Sequence, residues 1–284
     1  MKTKETFFKI IFLVCTAFSI LAVLMICLFL FASGIPAIHK TGAIDFILGQ
    51  KWKPGNDTYG IFPMIIGSLY VTAGAIVFGV PVGLMTAIFL SRFCPEKLHG
   101  ALKNGIDLLA GIPSVVYGFF GLMVIVPFVR NTFGGNGSSV LSASILLGMM
   151  ILPTIISVSE NSLNAVPASY YEGARALGAT HEESVFKVIL PAAKPGILAA
   201  VILGIGRAIG ETMAVIMVAG NQARIPDSLL KGARTLTANI VIEMGYATDL
   251  HREALIATGV VLFVFILGIN MAFNAVKVHG ISKQ

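Results

Sequence analysis

Charge is scarce in this sequence: Asp, Glu, Lys and Arg make up only 12% of its 284 residues, against 56% that are hydrophobic. With a mean hydropathy of +0.88, that shortage excludes a soluble globule, whose surface carries about twice the charge. Cysteine is nearly absent as well. Cys15 and Cys27 fall inside the first apolar run and Cys94 in a loop, so neither a disulfide framework nor a zinc cluster is indicated. The 14 acidic residues are outnumbered by 20 Lys and Arg, for a net charge of +6. These cations are scattered over short loops and not gathered into a stripe, which argues against nucleic acid and fits attraction to an anionic inner leaflet.

Enzyme signatures are missing too. There is no Gly-x-x-x-x-Gly-Lys-[Ser/Thr], so the chain has no P-loop of its own, and there is no His-Glu-x-x-His. The five histidines are spread over loops and the C-terminal tail. "GIGRAIG" spaces its glycines G-x-G-x-x-x-G, which is not the dinucleotide fingerprint and lies in no βαβ context. Gly206 and Gly210 read instead as a small-xxx-small pair that lets another helix approach. No catalytic residue, cofactor or metal is expected.

What the sequence does have is long apolar runs. Crossing a hydrocarbon core of about 30 Å takes about 20 helical residues, and such runs recur six times, over residues 10–32, 62–90, 108–129, 140–161, 195–219 and 254–276. The expected fold is an all-α polytopic membrane protein. The second run is overlong, and Pro81 marks a kink or helix junction within it. The first run has only Thr16 and Ser19 interrupting its 23 residues, well beyond the 7–15 or so of a cleaved signal, so it reads as a retained span. With the N-terminus inside, 11 Lys and Arg fall on inner segments and eight on outer ones, Arg207 lying within the fifth run. The long outer loops weigh little under the positive-inside rule, so both termini are placed in the cytoplasm.

The longest polar stretch on the inner side is residues 166–191, "VPASYYEGARALGATHEESVFKVILP". After Pro167, helix formers carry Tyr171, Ala174 and Leu177 at three-residue spacing, and Gly178 is placed to end that short helix. A second short helix is expected from Thr180, which forms a capping box with Glu183 and presents Val185, Phe186 and Ile189. Two short amphipathic helices beneath a membrane bundle make a docking surface.

This segment resembles the signature loop of ABC-importer permeases: Glu-Ala-Ala, three residues, Gly, nine residues, then Ile-x-Leu-Pro. Here Glu172-Gly173-Ala174 is followed at those spacings by Gly178 and by Val188-Ile189-Leu190-Pro191. Gly173 departs from the pattern and loosens the helix by about 1 kcal/mol relative to alanine; Val188 replaces the isoleucine. The resemblance implies that Glu172, Gly173, Ala174 and Gly178 belong to a coupling helix seated on an ATPase subunit. "LLAGIPSVVYGFFGL" (108–122) and "GRAIGETMAVIMVAGN" (206–221) further resemble permeases of the phosphate-specific importer, nearer the C-type of its two membrane subunits. That resemblance covers residues 61–284 as a transmembrane core, with residues 1–60 an N-terminal tail, first span and outer loop. It implies two ATPase copies, a second homologous permease, a phosphate-binding protein outside, and residence in a bacterial cytoplasmic membrane.

Arg207 and Glu211 put two charges in the fifth run, where each costs about 2.5–3.5 kcal/mol at a helix centre. Their spacing of four places them on one helical face within mutual reach. Two readings fit: an ion pair that fixes register and touches no substrate, or a translocation path in which Arg207 offers its guanidinium to phosphate oxygens and Glu211 moderates the attraction. Elsewhere, Pro113 and Ser114 sit near the start of the third run, and Glu160 and Asn161 read as interfacial anchors closing the fourth. Residues 231–247 could fold as an amphipathic helix, either facing an external binding protein or lying on the membrane. The competing class, a stand-alone ion-driven transporter or anion channel, has no account of the loop spacing and few buried acids to move protons. An intramembrane enzyme lacks a nucleophile and base at one depth.

Overall fold

The computed structural model describes residues 2–281, with side chains over residues 6–271. Most of the described residues are helical, and six helical stretches are long and apolar enough to cross a membrane.

The first span, α1 (Lys2–Thr41), is a 40-residue helix far longer than the apolar run that announces it. Polar residues at both ends extend it past the bilayer, since 40 residues rise about 60 Å. Its C-terminal half packs against the last span, where Phe31 meets Phe263 edge to face. A short helix, α2 (Ala43–Leu48), leads into a hairpin of β1 (Trp52–Lys53) and β2 (Thr58–Tyr59) in antiparallel register. This hairpin had no period-2 signal in the sequence; it is too short for one.

The second span is α3 (Phe62–Ile88), which runs through Pro81 and closes in a π turn over Phe89–Phe93. Next come α4 (Glu96–Gly111), α5 (Ser114–Phe120) and α6 (Val126–Phe133). The third span therefore begins at Ser114 and not near residue 108: Pro113 holds an extended backbone (φ −59, ψ 143) that separates α4 from α5. α7 (Val140–Asn164) is the fourth span and the centre of the bundle, α3 and α10 packing along it. The α3–α7 crossing is close because a Cβ on Gly79 would meet Ile151 and the Gly148 carbonyl within 2.9 Å. Small residues substitute there for a hydrophobic driving force that lipid does not supply.

The short helix α8 (Ala168–Ala176) ends as expected, with Gly178 in the left-handed region at φ +88. The second short helix is a correction. Thr180 and Glu183 form the capping box, but α9 (His181–Ser184) runs on through a π turn over Val185–Ile189 into α10 (Leu190–Gly210). One 30-residue helix, His181–Gly210, is the fifth span. The π turn contains Lys187, four residues before Pro191, whose ring would strike a carbonyl in a regular helix; the turn Gly121–Ile125 contains Met123, four before Pro127. The fifth span also ends earlier than residue 219. The helix stops at Gly210, Glu211 is extended, and α11 (Met213–Val218) starts afresh.

α12 (Leu236–Met244) precedes the last span, α13 (Asp249–Ile281). Leu236, Thr237, Ala238 and Asn239 are buried, so α12 is packed into the bundle end and does not lie on a membrane surface. Six crossings leave the start of α1 and the close of α13 on the α8 side, opposite the hairpin.

Candidate functional site

Polar arrangements interrupt this apolar bundle at both ends and between them. At the α8 end, α8 has no buried residue. Tyr171 and Ala174 turn partly inward, while Glu172, Gly173, Gly178 and Leu177 face out, Leu177 at 92% exposure. The inward face is wired to the spans. Tyr171 Oη lies 2.9 Å from His181 Nδ1, His181 Nε2 lies 3.1 Å from the Arg92 carbonyl, and Arg92 Nη2 donates to the Leu163 carbonyl at 2.6 Å. A displacement of α8 thus reaches the ends of both α3 and α7 through three contacts. Sequence reasoning found α8 and missed the linkage, because His181 and Arg92 are 89 residues apart.

In the last turn of α10, Arg207 is exposed within the isolated chain and its Nη1 lies 3.4 Å from Thr154 Oγ1 in the middle of α7. Among the described residues no ion pair joins it to Glu211, which corrects the shared helical face. Glu211 sits in the break after α10, and its Oε1 accepts the Ala214 amide of α11 at 3.1 Å, while its carbonyl accepts Thr237 Oγ1 at 3.0 Å. Polar side chains here satisfy backbone groups that the helix break orphans. A methyl added at Gly206 or Gly210 would meet nothing within 4 Å, so in the chain alone no helix uses that pair.

Nearer the α8 end, Glu160 proves to be no interfacial anchor. It is 3% exposed, with Oε1 at 2.9 Å from His99 Nε2 and Oε2 accepting Lys103 Nζ at 2.8 Å. Lys103 also donates to Ser157 Oγ at 3.1 Å. These bonds tie α4, which buries no residue of its own, to α7.

At the hairpin end, Glu243 of α12 accepts bonds from Trp52 Nε1 and His251 Nε2, both at 2.8 Å, and is paired with Arg234. Arg234 also donates to Asn239 Oδ1 and the Asn221 carbonyl, each at 3.0 Å. One carboxylate therefore clasps the hairpin, α12 and the start of α13. Burial opposes its ionisation, but the bonds from Trp52, His251 and Arg234 prevail and hold the carboxyl below the ordinary carboxylate range. Because the folded pKa is the lower one, this stabilisation is complete above the unfolded value of about 4.3 and is lost as pH falls through the folded value. Glu243→Gln, which leaves Arg234 buried without its counter-charge, should cost about 3–5 kcal/mol. Thermal unfolding of the detergent-solubilised protein checks this; an unchanged midpoint at neutral pH would show that the clasp is not structural.

Among the described residues no cluster of His, Cys, Asp and Glu could hold a metal ion. The polar groups are thus an exposed short helix at one end, an arginine bonded to a hydroxyl inside the bundle, and a buried carboxylate clasp at the other end.

Comparison with known proteins agrees. The sequence model of the binding-protein-dependent transport system inner membrane component matches residues 79–277. YqgH of Bacillus subtilis, a probable ABC transporter permease protein, is 39% identical over 281 residues, covering 95% of this chain and 91% of that protein. The phosphate transport system permease protein PstC of Mesorhizobium japonicum is 36% identical over 83% of this chain and 78% of its own length. Among solved structures, the inward-facing MetNI methionine ABC transporter superposes with a TM-score of 0.62 at 22% identity, over 81% of this chain and 99% of that one. A bacterial alginate ABC transporter superposes with 0.59 at 15% identity, over 92% and 93%. At those identities the structures bear on the fold, and the sequence matches bear on descent. The chain belongs to the family of binding-protein-dependent transport system inner membrane components, as a multi-pass ABC-importer permease.

Proposed function

We propose that this permease carries inorganic phosphate inward across a bacterial cytoplasmic membrane, driven by ATP hydrolysed in two partner subunits. A second, homologous permease completes the path, and a phosphate-binding protein delivers the anion at the hairpin end. The α8 end then faces the cytoplasm, with both termini on that side, and Glu172, Gly173, Ala174 and Gly178 belong to the surface that the ATPase grips. Relatives named as phosphate transport permeases support the choice of anion.

The observation that carries the reading is Arg207 itself. Within a membrane span, its partner among the described residues is a neutral hydroxyl and not a carboxylate, so guanidinium donors remain for a tetrahedral oxyanion. Glu211, fixed on the helix break just beyond, supplies a negative charge that keeps the anion from being trapped.

The test is uptake of labelled phosphate into vesicles containing the complete complex. Accumulation should start on ATP addition, be abolished by excess unlabelled phosphate and persist in excess sulfate. Equal competition by sulfate would overturn the assignment of the anion, and accumulation by this chain alone would overturn the ATP-driven mechanism.

A further inference from the structure

Arg207 is not the only cation on this face of α7. Its guanidinium leans on Thr154, and the Lys103 ammonium donates to Ser157. Those two hydroxyl residues are three apart on one helix, neighbours about one turn from each other and about 4.5 Å apart in depth. Both are partly covered within the chain, and Asn161, one turn further toward α8, is exposed. Two positive side chains, from α4 and α10, thus converge on a single polar stripe of the central helix.

The sign of the local charge follows by counting. Glu160 offsets one cation, so the group of Arg207, Lys103 and Glu160 keeps one net positive charge. Both oxygens of Glu160 are engaged, one by His99 and one by Lys103. Of the three N–H donors of Lys103, two are used, and its side chain remains 25% exposed. Asp107, one turn along α4, forms no ion pair with Lys103 among the described residues.

We propose that Lys103 is the next anion-binding station after Arg207, toward the α8 end, with Glu160 as the counter-charge that holds it in place and limits its grip. Two sites of moderate strength one turn apart let an anion step forward, where a single strong site would retain it. The proposal rests on the phosphate reading above and adds to it a second residue in contact with the substrate.

The experiment uses the complete transporter in proteoliposomes and measures labelled phosphate uptake, ATPase rate and subunit copurification. Lys103→Gln should lower phosphate kcat by about tenfold or more, the worth of one charge-assisted bond, with the ATPase still bound, whereas Lys103→Arg should retain most of the rate. Glu160→Gln, which frees the ammonium, should lower KM and kcat together, a change that a purely structural tie between α4 and α7 does not produce. The double variant Lys103→Gln with Glu160→Gln leaves no lone buried charge, and so carries the test should the single variant fail to assemble; it should remain slow. Wild-type uptake by Lys103→Gln, or recovery of wild-type uptake in the double variant, would overturn the station. Arg207→Gln run in parallel separates the two levels: if it transports normally, the phosphate path through this face is wrong, and if it alone is dead, only Lys103 has been misassigned.

Discussion

An Arg207→Gln transporter reaches the membrane, retains its ATPase and fails to take up phosphate. The structural cost of the change is small, because the arginine's bond within the chain is one of 3.4 Å to Thr154, and glutamine still offers an N–H to that hydroxyl. The functional cost is large. A guanidinium gives an oxyanion two parallel charge-assisted bonds, each worth about 1.5–3 kcal/mol, so uptake should fall by more than about a hundredfold. Membrane abundance and copurification of the ATPase are the controls. Transport at a near-normal rate would place Arg207 outside the path.

The second large effect is expected at the other end of the machine. Leu177 stands at the close of α8 with 92% of its surface exposed, just before Gly178 turns the chain through a left-handed conformation. An isolated leucine in that position has nothing to pack against in its own chain. Burying it in a partner contributes about 1.5–3 kcal/mol, and an aspartate there must instead be desolvated. Leu177→Asp should therefore loosen the ATPase by about tenfold to a hundredfold in affinity and lower phosphate uptake in proportion, while span packing, which Leu177 does not touch, stays intact. Normal uptake with a normally bound ATPase would mean that the grip lies elsewhere on α8.

Both residues show what a linear reading can see. The six apolar runs gave the number of candidate spans and the rough place of each, because membrane thickness imposes length directly on sequence. α8, its glycine stop and the Thr180–Glu183 box were equally legible, since caps are local chemistry. The limits of the fifth span were not. Arg207 and Glu211 look like an i, i+4 pair only if the helix continues, and whether it continues depends on Glu211 capping Ala214 and on Thr237 reaching back to the Glu211 carbonyl from 26 residues away. Continuity from His181 into α10 was hidden for a related reason: proline in "ILPAAKP" reads as a break, yet a π turn removes the clash. Glu160 and Glu243 were the largest misses. Each looks like an ordinary polar residue in sequence, and each becomes a buried hub only when α4 folds onto α7 or when Trp52 and His251 arrive from 191 and eight residues away.

The central claim is that a partner ATPase moves this scaffold by holding α8 from the cytoplasm. The most direct measurement places a thiol there: Leu177→Cys in a chain whose Cys15, Cys27 and Cys94 are replaced by serine, within the assembled transporter. The thiol should cross-link to the ATPase subunit and stay unreactive toward a membrane-impermeant maleimide until the cytoplasmic face is opened. Labelling from outside intact cells, with no cross-link to the ATPase, would contradict the account.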